Sequence, residues 1–163
     1  MSSESTTSSS ATRSINNVVQ ILDKAFDPAV VCGELTALDS ECGALVTFTG
    51  MVRDLADKPV NAMLLEHYPG MTEQSLEAII GTARERWALG NVTLIHRVGM
   101  LYPGDPIVFV GVSSRHRREA FDACQFIMDY LKMDAPFWKK EFTPAGEHWV
   151  EAKSSDGDAA QRW

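Results

Sequence analysis

The sequence predicts an α+β fold, with helices packed on one side of a mostly antiparallel sheet. Two observations carry that expectation. Apolar residues recur at helical spacing over residues 71–90 and 114–135, whereas the segments around them are β-branched and aromatic. Turns too short for a crossover, "YPGDP" at 102–106 and "TPAGE" at 143–147, join pairs of those segments, so the pairs run antiparallel.

Residues 1–14, "MSSESTTSSSATRS", hold too little apolar surface to offset the entropy of ordering, and a disordered Ser/Thr-rich tail is expected there. "INNVVQIL" is a short strand. In "DPAVVCGELTAL" Asp27 is the N-cap and Pro28 the first helical residue. "GALVTFTGMVRD", after Gly43, has the composition of a buried strand that opens into a polar loop between Gly50 and Asp54. "VNAMLLEHY" is another strand, stopped by Pro69 and Gly70.

The helix of residues 71–90 places Leu76, Ile79, Ile80, Ala83 and Trp87 on one face, with Gly90 as its terminator. "NVTLIHRVGML" and "PIVFVGVSS" follow as strands. Ala120, Phe121, Cys124, Ile127, Met128 and Leu131 form the stripe of a second long helix, which Pro136 ends. "WKKEF" and "HWVEAK" make a closing hairpin. Residues 15–153 are thus expected to form a single domain, with 154–163 a polar tail.

At 163 residues the chain has enough core to fold without disulfides or a structural metal. Cys32, Cys42 and Cys124 are odd in number and form no C-x-x-C, which argues against a disulfide framework and against a zinc site. A net charge of −7 disfavours nucleic acid and anionic membranes as partners. No apolar run approaches the roughly 18 residues of a membrane span, and the first residues lack the apolar stretch of a signal peptide. A cytoplasmic location is expected.

Positive charge is local. Between Ser113 and Glu141 there are six basic residues against five acidic, which suits a small anionic ligand better than a polymer. On the helix from Ser114, Arg117 falls within the apolar stripe and Lys132 at its edge. Beyond Pro136 a strand would put Phe137, Lys139 and Glu141 on one face and Trp138, Lys140 and Phe142 on the other. A chain that reverses at Pro136 brings Lys139 back beside Lys132. Two ammonium groups in one partly apolar pocket disfavour each other's charged form, and a lysine so placed becomes a base or nucleophile. The alternatives are that the lysines snorkel to water or guard a sheet edge.

His116 and Arg117 open the same helix, where backbone N–H groups and a guanidinium favour phosphate. Arg53 is a further candidate phosphate ligand, and Gly50 permits close approach by a ligand or by backbone. His67 and His96 lack metal-ligand spacing. No cysteine sits in an evident activating environment, so any sulfur chemistry would need sulfur from elsewhere.

"GALVTFTGMVRD", "LEHYPGMTEQSL", "HRVGMLYPGDPIVFVGV", "HRREAFDACQFIMDYLK", "PFWKKE" and "HWVEAKSSD", in this order, resemble the family of large, catalytic subunits of molybdopterin synthase, the MoaE family. The likeness runs from about Gly43 to Trp163. It implies an α/β-hammerhead fold and a cytoplasmic sulfurtransferase of molybdenum cofactor biosynthesis. The implied substrate is cyclic pyranopterin monophosphate (precursor Z), and the implied product is the molybdopterin dithiolene. The implied sulfur donor is a thiocarboxylate on the C-terminal Gly-Gly tail of a small ubiquitin-like subunit. No metal or other cofactor is implied for catalysis. The implied assembly is a heterotetramer around a homodimer of large subunits.

Carried over by matching motifs, the family's key lysines fall on Lys132 and Lys139, the first at the entering glycine tail and the second beside the pterin as acid-base group. His116, Arg117 and Arg53 would hold the substrate phosphate, with Arg53 serving the neighbouring protomer's site. Met51 and Val52 supply adjoining backbone, Lys140 and Glu141 flank the second lysine, and Phe48 and Met128 shape the pocket. "SSRHRRE" is more basic than the family pattern. Two other readings stay open: an adaptor that merely docks the small subunit's tail, and a lysine enzyme that forms a Schiff base.

Overall fold

In the computed structural model, which describes residues 15–38, 41–151 and 154–163, the chain runs β1 (Asn17–Leu22), α1 (Pro28–Leu38), β2 (Ala44–Met51), β3 (Ala62–His67), α2 (Met71–Arg86), β4 (Leu89–Arg97), β5 (Gly99–Leu101), β6 (Pro106–Ser114), α3 (Arg117–Asp134), β7 (Phe137–Thr143), β8 (Gly146–Val150) and α4 (Ser154–Ala160). The expected tail of residues 1–14 lies outside the described residues. Two four-stranded sheets result, in the orders β1-β4-β6-β2 and β5-β3-β7-β8. Among the described residues only β1 and β4 pair in parallel.

Period-2 alternation along β6 explains the layers of the first sheet. Val108, Val110 and Val112 point into a core with Leu76 and Ile80 of α2 and Ala123 and Ile127 of α3. Phe109 points the other way, onto Val31 and Leu35 of α1. The expectation of helices on one side is therefore corrected for α1, which covers the opposite face. Gly111 makes room for it, because a Cβ there would run into the Leu35 side chain and the Phe109 ring. The start of α1 is local chemistry, with the Ala29 N–H donating to Asp27 Oδ1 at 2.9 Å.

Further expectations need correction. Residues 91–101 do not form one strand: at Gly99, whose φ of 85° suits glycine, the chain leaves the first sheet, and β5 pairs with β3 in the second. α2 stops at Arg86 rather than Gly90, because Leu89 and Gly90 are drawn into β4, where Arg84 caps their carbonyls at 3.1 and 2.8 Å. β2 is an edge strand, hydrogen-bonded to a neighbouring strand on one side, and is only half-buried. Residues 154–163 do not trail off: α4 docks on α3, Ala160 is buried, and Trp163 donates from its indole N–H to Asp129 Oδ2 at 2.7 Å.

α3 is turned relative to its expected stripe. Ala120, Ala123, Cys124, Phe126, Ile127 and Leu131 are buried, whereas Phe121 is exposed. Phe126 is drawn inward by edge-on contacts with Trp87 and Trp163. That rotation leaves Arg117 and Lys132 exposed.

Candidate functional site

The two sheets meet at an aromatic pair. His96, near the end of β4, stacks on Phe137, the first residue of β7, with centroids 3.9 Å apart and planes 17° from parallel. Its Nδ1 lies 2.8 Å from the Arg97 carbonyl, which can only accept, so the proton sits on Nδ1 and Nε2 keeps a lone pair. Burial pushes its pKa down to about 4, and the Lys132 and His67 charges push the same way against the bond to Arg97. At neutral pH this imidazole is uncharged.

β7 sorts its side chains as a strand must. Phe137, Lys139 and Glu141 share the face that carries Met63, Leu65 and His67 on β3 and His148 and Val150 on β8. Lys139 Nζ is 3.5 Å from Glu141 Oε1, and His148 Nε2 is 3.6 Å from Glu141 Oε2. Lys140 lies on the other face, 3.1 Å from Glu147 and over the rings of Phe142 and Trp149. Lys139 is two residues from Phe137, about 7 Å along a strand, and Lys132 acts on His96 from the last turn of α3. Both amines belong to the neighbourhood of one aromatic pair.

Val52 is buried with Met63, Leu65 and Leu101, its N–H donating to the Asp105 carbonyl at 3.0 Å and its carbonyl accepting from Gly104 at 2.9 Å. This anchor fixes Met51 and Arg53, which flank it and are exposed, and Phe48 is exposed on β2. Met128 packs half-buried against the main core.

His116 and Arg117 lie elsewhere. Ser114, just before them, pairs with Ala44 at the start of β2, whereas Met51, just before Arg53, pairs with Pro106 at its end. Arg117 and Lys132 stand fifteen residues apart on one helix, about 22 Å. Arg53 therefore lies at the opposite end of β2 from His116 and Arg117, and Lys132 at the opposite end of α3 from Arg117.

Cys124 is buried against the Val110 carbonyl, and desolvation pushes its thiol up to about 12. It stays protonated and packs. Among the described residues no three His, Cys, Asp or Glu side chains gather as a metal site would require, and no helix is long and apolar enough to cross a membrane. The sequence reading passed over His96 and His148. The signal for His96 was its place on the strand face of Val92 and Leu94, where an imidazole must find a partner.

Residues 21–134 match the family model described as MoaE protein. The chain belongs to the MoaE family. It is 65% identical over 125 residues to the molybdopterin synthase catalytic subunit of Escherichia coli K12, covering 76% of this chain and 83% of that one. The solved MoaE protein of Burkholderia ambifaria superposes with a TM-score of 0.79 at 49% identity, covering 91% of this chain and 98% of that one. The molybdopterin synthase structure from Staphylococcus aureus gives a TM-score of 0.74 at 29% identity, over 80% and 95% of the two chains. With these relatives the MoaE chain is an enzyme of molybdenum cofactor biosynthesis, in the sulfurtransferase class.

Proposed function

We propose that this MoaE chain inserts sulfur into precursor Z to form the molybdopterin dithiolene, taking the sulfur from a thiocarboxylate on the C-terminal Gly-Gly tail of a small ubiquitin-like subunit. The observation that carries this is a division of labour: two amines, Lys132 and Lys139, gather about the His96–Phe137 pair, while the buried thiol of Cys124 is held protonated. Cys124 offers no nucleophilic sulfur, and in this reading the inserted sulfur is delivered from outside the chain.

In the proposed reaction the thiocarboxylate sulfur bonds to an electrophilic carbon of the pterin side chain. The displaced oxygen leaves with a proton from Lys139, the acid-base group, whose amine is then reprotonated from solvent. Water adds to the resulting thioester, the acyl carbon–sulfur bond breaks, and the tail departs as a carboxylate with the sulfur left on the pterin. A second round completes the dithiolene. Lys132, beside the entering tail, would offset negative charge on the acyl oxygen. No step calls for a metal, and the site of action would be the cytoplasm.

Phosphate recognition requires a second copy in this reading. His116 and Arg117 are about a helix length from Lys132 within one chain, so, in place of the expectation that Arg53 serves the neighbour, the site unites Arg53, Lys132 and Lys139 of one protomer with His116 and Arg117 of its partner. The uncharged edge strand β2, with Phe48 and Met51 exposed, is the kind of edge that an assembly covers. A homodimer of large subunits within a heterotetramer satisfies both.

The test is reconstitution with thiocarboxylated small subunit and precursor Z. Lys139→Ala is expected to lower the rate of dithiolene formation by at least about 100-fold, and replacing all three cysteines is expected to leave it intact. Wild-type turnover by Lys139→Ala would remove the lysine from this role.

A further inference from the structure

Arg53 follows β2 at a place where the sheet no longer holds the chain. The register between β2 and β6 shifts at Gly50 and Met51, and the strand ends at Met51. Val52 is fixed instead by the turn of residues 102–105, which grips both of its backbone groups. The Asp105 carbonyl accepts from the Val52 N–H at 3.0 Å, and the Gly104 N–H donates to the Val52 carbonyl at 2.9 Å. The direction taken by Arg53 therefore depends on the shape of that turn.

Asp105 shapes it. Its carboxylate Oδ2 accepts from the Tyr102 N–H at 2.9 Å, and its own N–H donates to the Tyr102 carbonyl at 2.9 Å, closing the turn from both ends. Arg97, the last residue of β4, places Nη1 3.5 Å from that same Oδ2. Its backbone is fixed by the first sheet, paired with Leu22 of β1 and accepting from His96 Nδ1 at 2.8 Å. One residue thus meets His96 through its carbonyl and the support of Arg53 through its side chain.

As a stabiliser Arg97 is a poor choice. It is only 7% exposed, and its Nε is buried without a hydrogen-bond partner among the described residues. One ion pair at 3.5 Å recovers little of the cost of desolvating a guanidinium, and an apolar side chain of similar length would fill the space without that loss. The charge therefore calls for a reason other than stability.

We propose that Arg97 is a positioning residue for sulfur insertion. By holding the Asp105 carboxylate it fixes the 102–105 turn on Val52, and so sets the direction from which Arg53 meets the substrate phosphate. This role rests on the function proposed above, and it adds Arg97 and Asp105 as residues that act through Arg53.

Two measurements on the full chain test it, each with Arg97→Met, which removes the charge at similar length, and Asp105→Asn, which weakens the pair but keeps an acceptor for Tyr102. Without substrate, amide exchange at Val52 and Gly104 should quicken at least about tenfold, while β4 and β6 stay protected and the protein melts near the wild-type temperature. In reconstituted sulfur insertion, KM for precursor Z should rise about tenfold with kcat changed by less than about threefold. In an Arg53→Ala background Arg97→Met should add nothing further, because the group it positions is gone. Unchanged exchange at Val52 in both variants overturns the role. So does a KM rise that persists undiminished in the Arg53→Ala background, or a fall in kcat and melting temperature with KM unchanged. A wild type that makes no dithiolene overturns the function proposed above, and exchange at Val52 then decides by itself whether Arg97 sets Arg53.

Discussion

His96 and Phe137 lie face to face, 3.9 Å between centroids, and join the first sheet to the start of the strand that carries Lys139. The stack works only with an uncharged imidazole, because the site is buried and Lys132 and His67 add positive charge around it. With its pKa lowered from 6.5 to about 4, the folded chain refuses a proton that the unfolded chain binds between those values. Stability contributed by the neutral ring is complete above pH 6.5 and lost as pH falls toward 4, by about 3 kcal/mol in all. His96→Gln, which cannot take up that proton, should show a flatter fall in urea midpoint over this range. An unchanged slope would mean that the ring does not titrate with folding.

The separation of Arg117 from Lys132 along α3 predicts complementation between damaged subunits. A Lys139→Ala chain and a His116→Ala/Arg117→Ala chain are each inactive as homodimers. Mixed dimers carry one site with both lesions and one with none, so random reassortment in a two-fold dimer restores about a quarter of wild-type activity. Recovery is measured after co-refolding equal amounts of the two chains. Mixtures that stay as inactive as their parents would place each site within a single chain.

Features set by a few adjacent residues were legible in the sequence, and those set by distant partners were not. The cap on α1 needs only Asp27 and the amide two residues on. The shared face of Lys139 and Glu141 follows from strand periodicity. By contrast, Phe121 and Phe126 are equally apolar, and which one α3 buries is decided by Trp87 and Trp163, far away in sequence. Gly99 announces a break, yet only β3 determines that β5 joins a different sheet. The remoteness of His116 from Lys132 was present in the helix length, although which other element closes on each end was not.

Cys124 should be inert. A thiol pushed up to about 12 carries almost no thiolate at pH 7, so iodoacetamide is expected to label Cys32 and Cys42, which are partly exposed, ahead of it. Cys124→Ala should cost about 1 kcal/mol of stability through lost packing and leave sulfur insertion unchanged. Peptide mapping after labelling checks the first outcome and reconstitution the second. Prompt modification of Cys124 in the folded chain would reopen it as a chemical group.

Trp163 anchors the carboxyl-terminal residues on α3. α4 spans seven residues, too short to persist by its own hydrogen bonds, so its order depends on docking. Trp163 supplies that docking through edge-on contacts with Trp87 and Phe126 and a bond of 2.7 Å to Asp129, which also lies 3.9 Å from Arg162. Trp163→Ala removes the aromatic contacts and leaves the half-buried Asp129 with the longer ion pair alone. Stability should fall by about 2 to 3 kcal/mol, and amide exchange across residues 154–163 should accelerate while β4 and β6 stay protected. Trp138→Ala, which removes an indole 49% exposed on the outer face of the second sheet, is the comparison and should change stability far less. Equal effects from the two substitutions would show that the terminal helix is held by something other than its tryptophan.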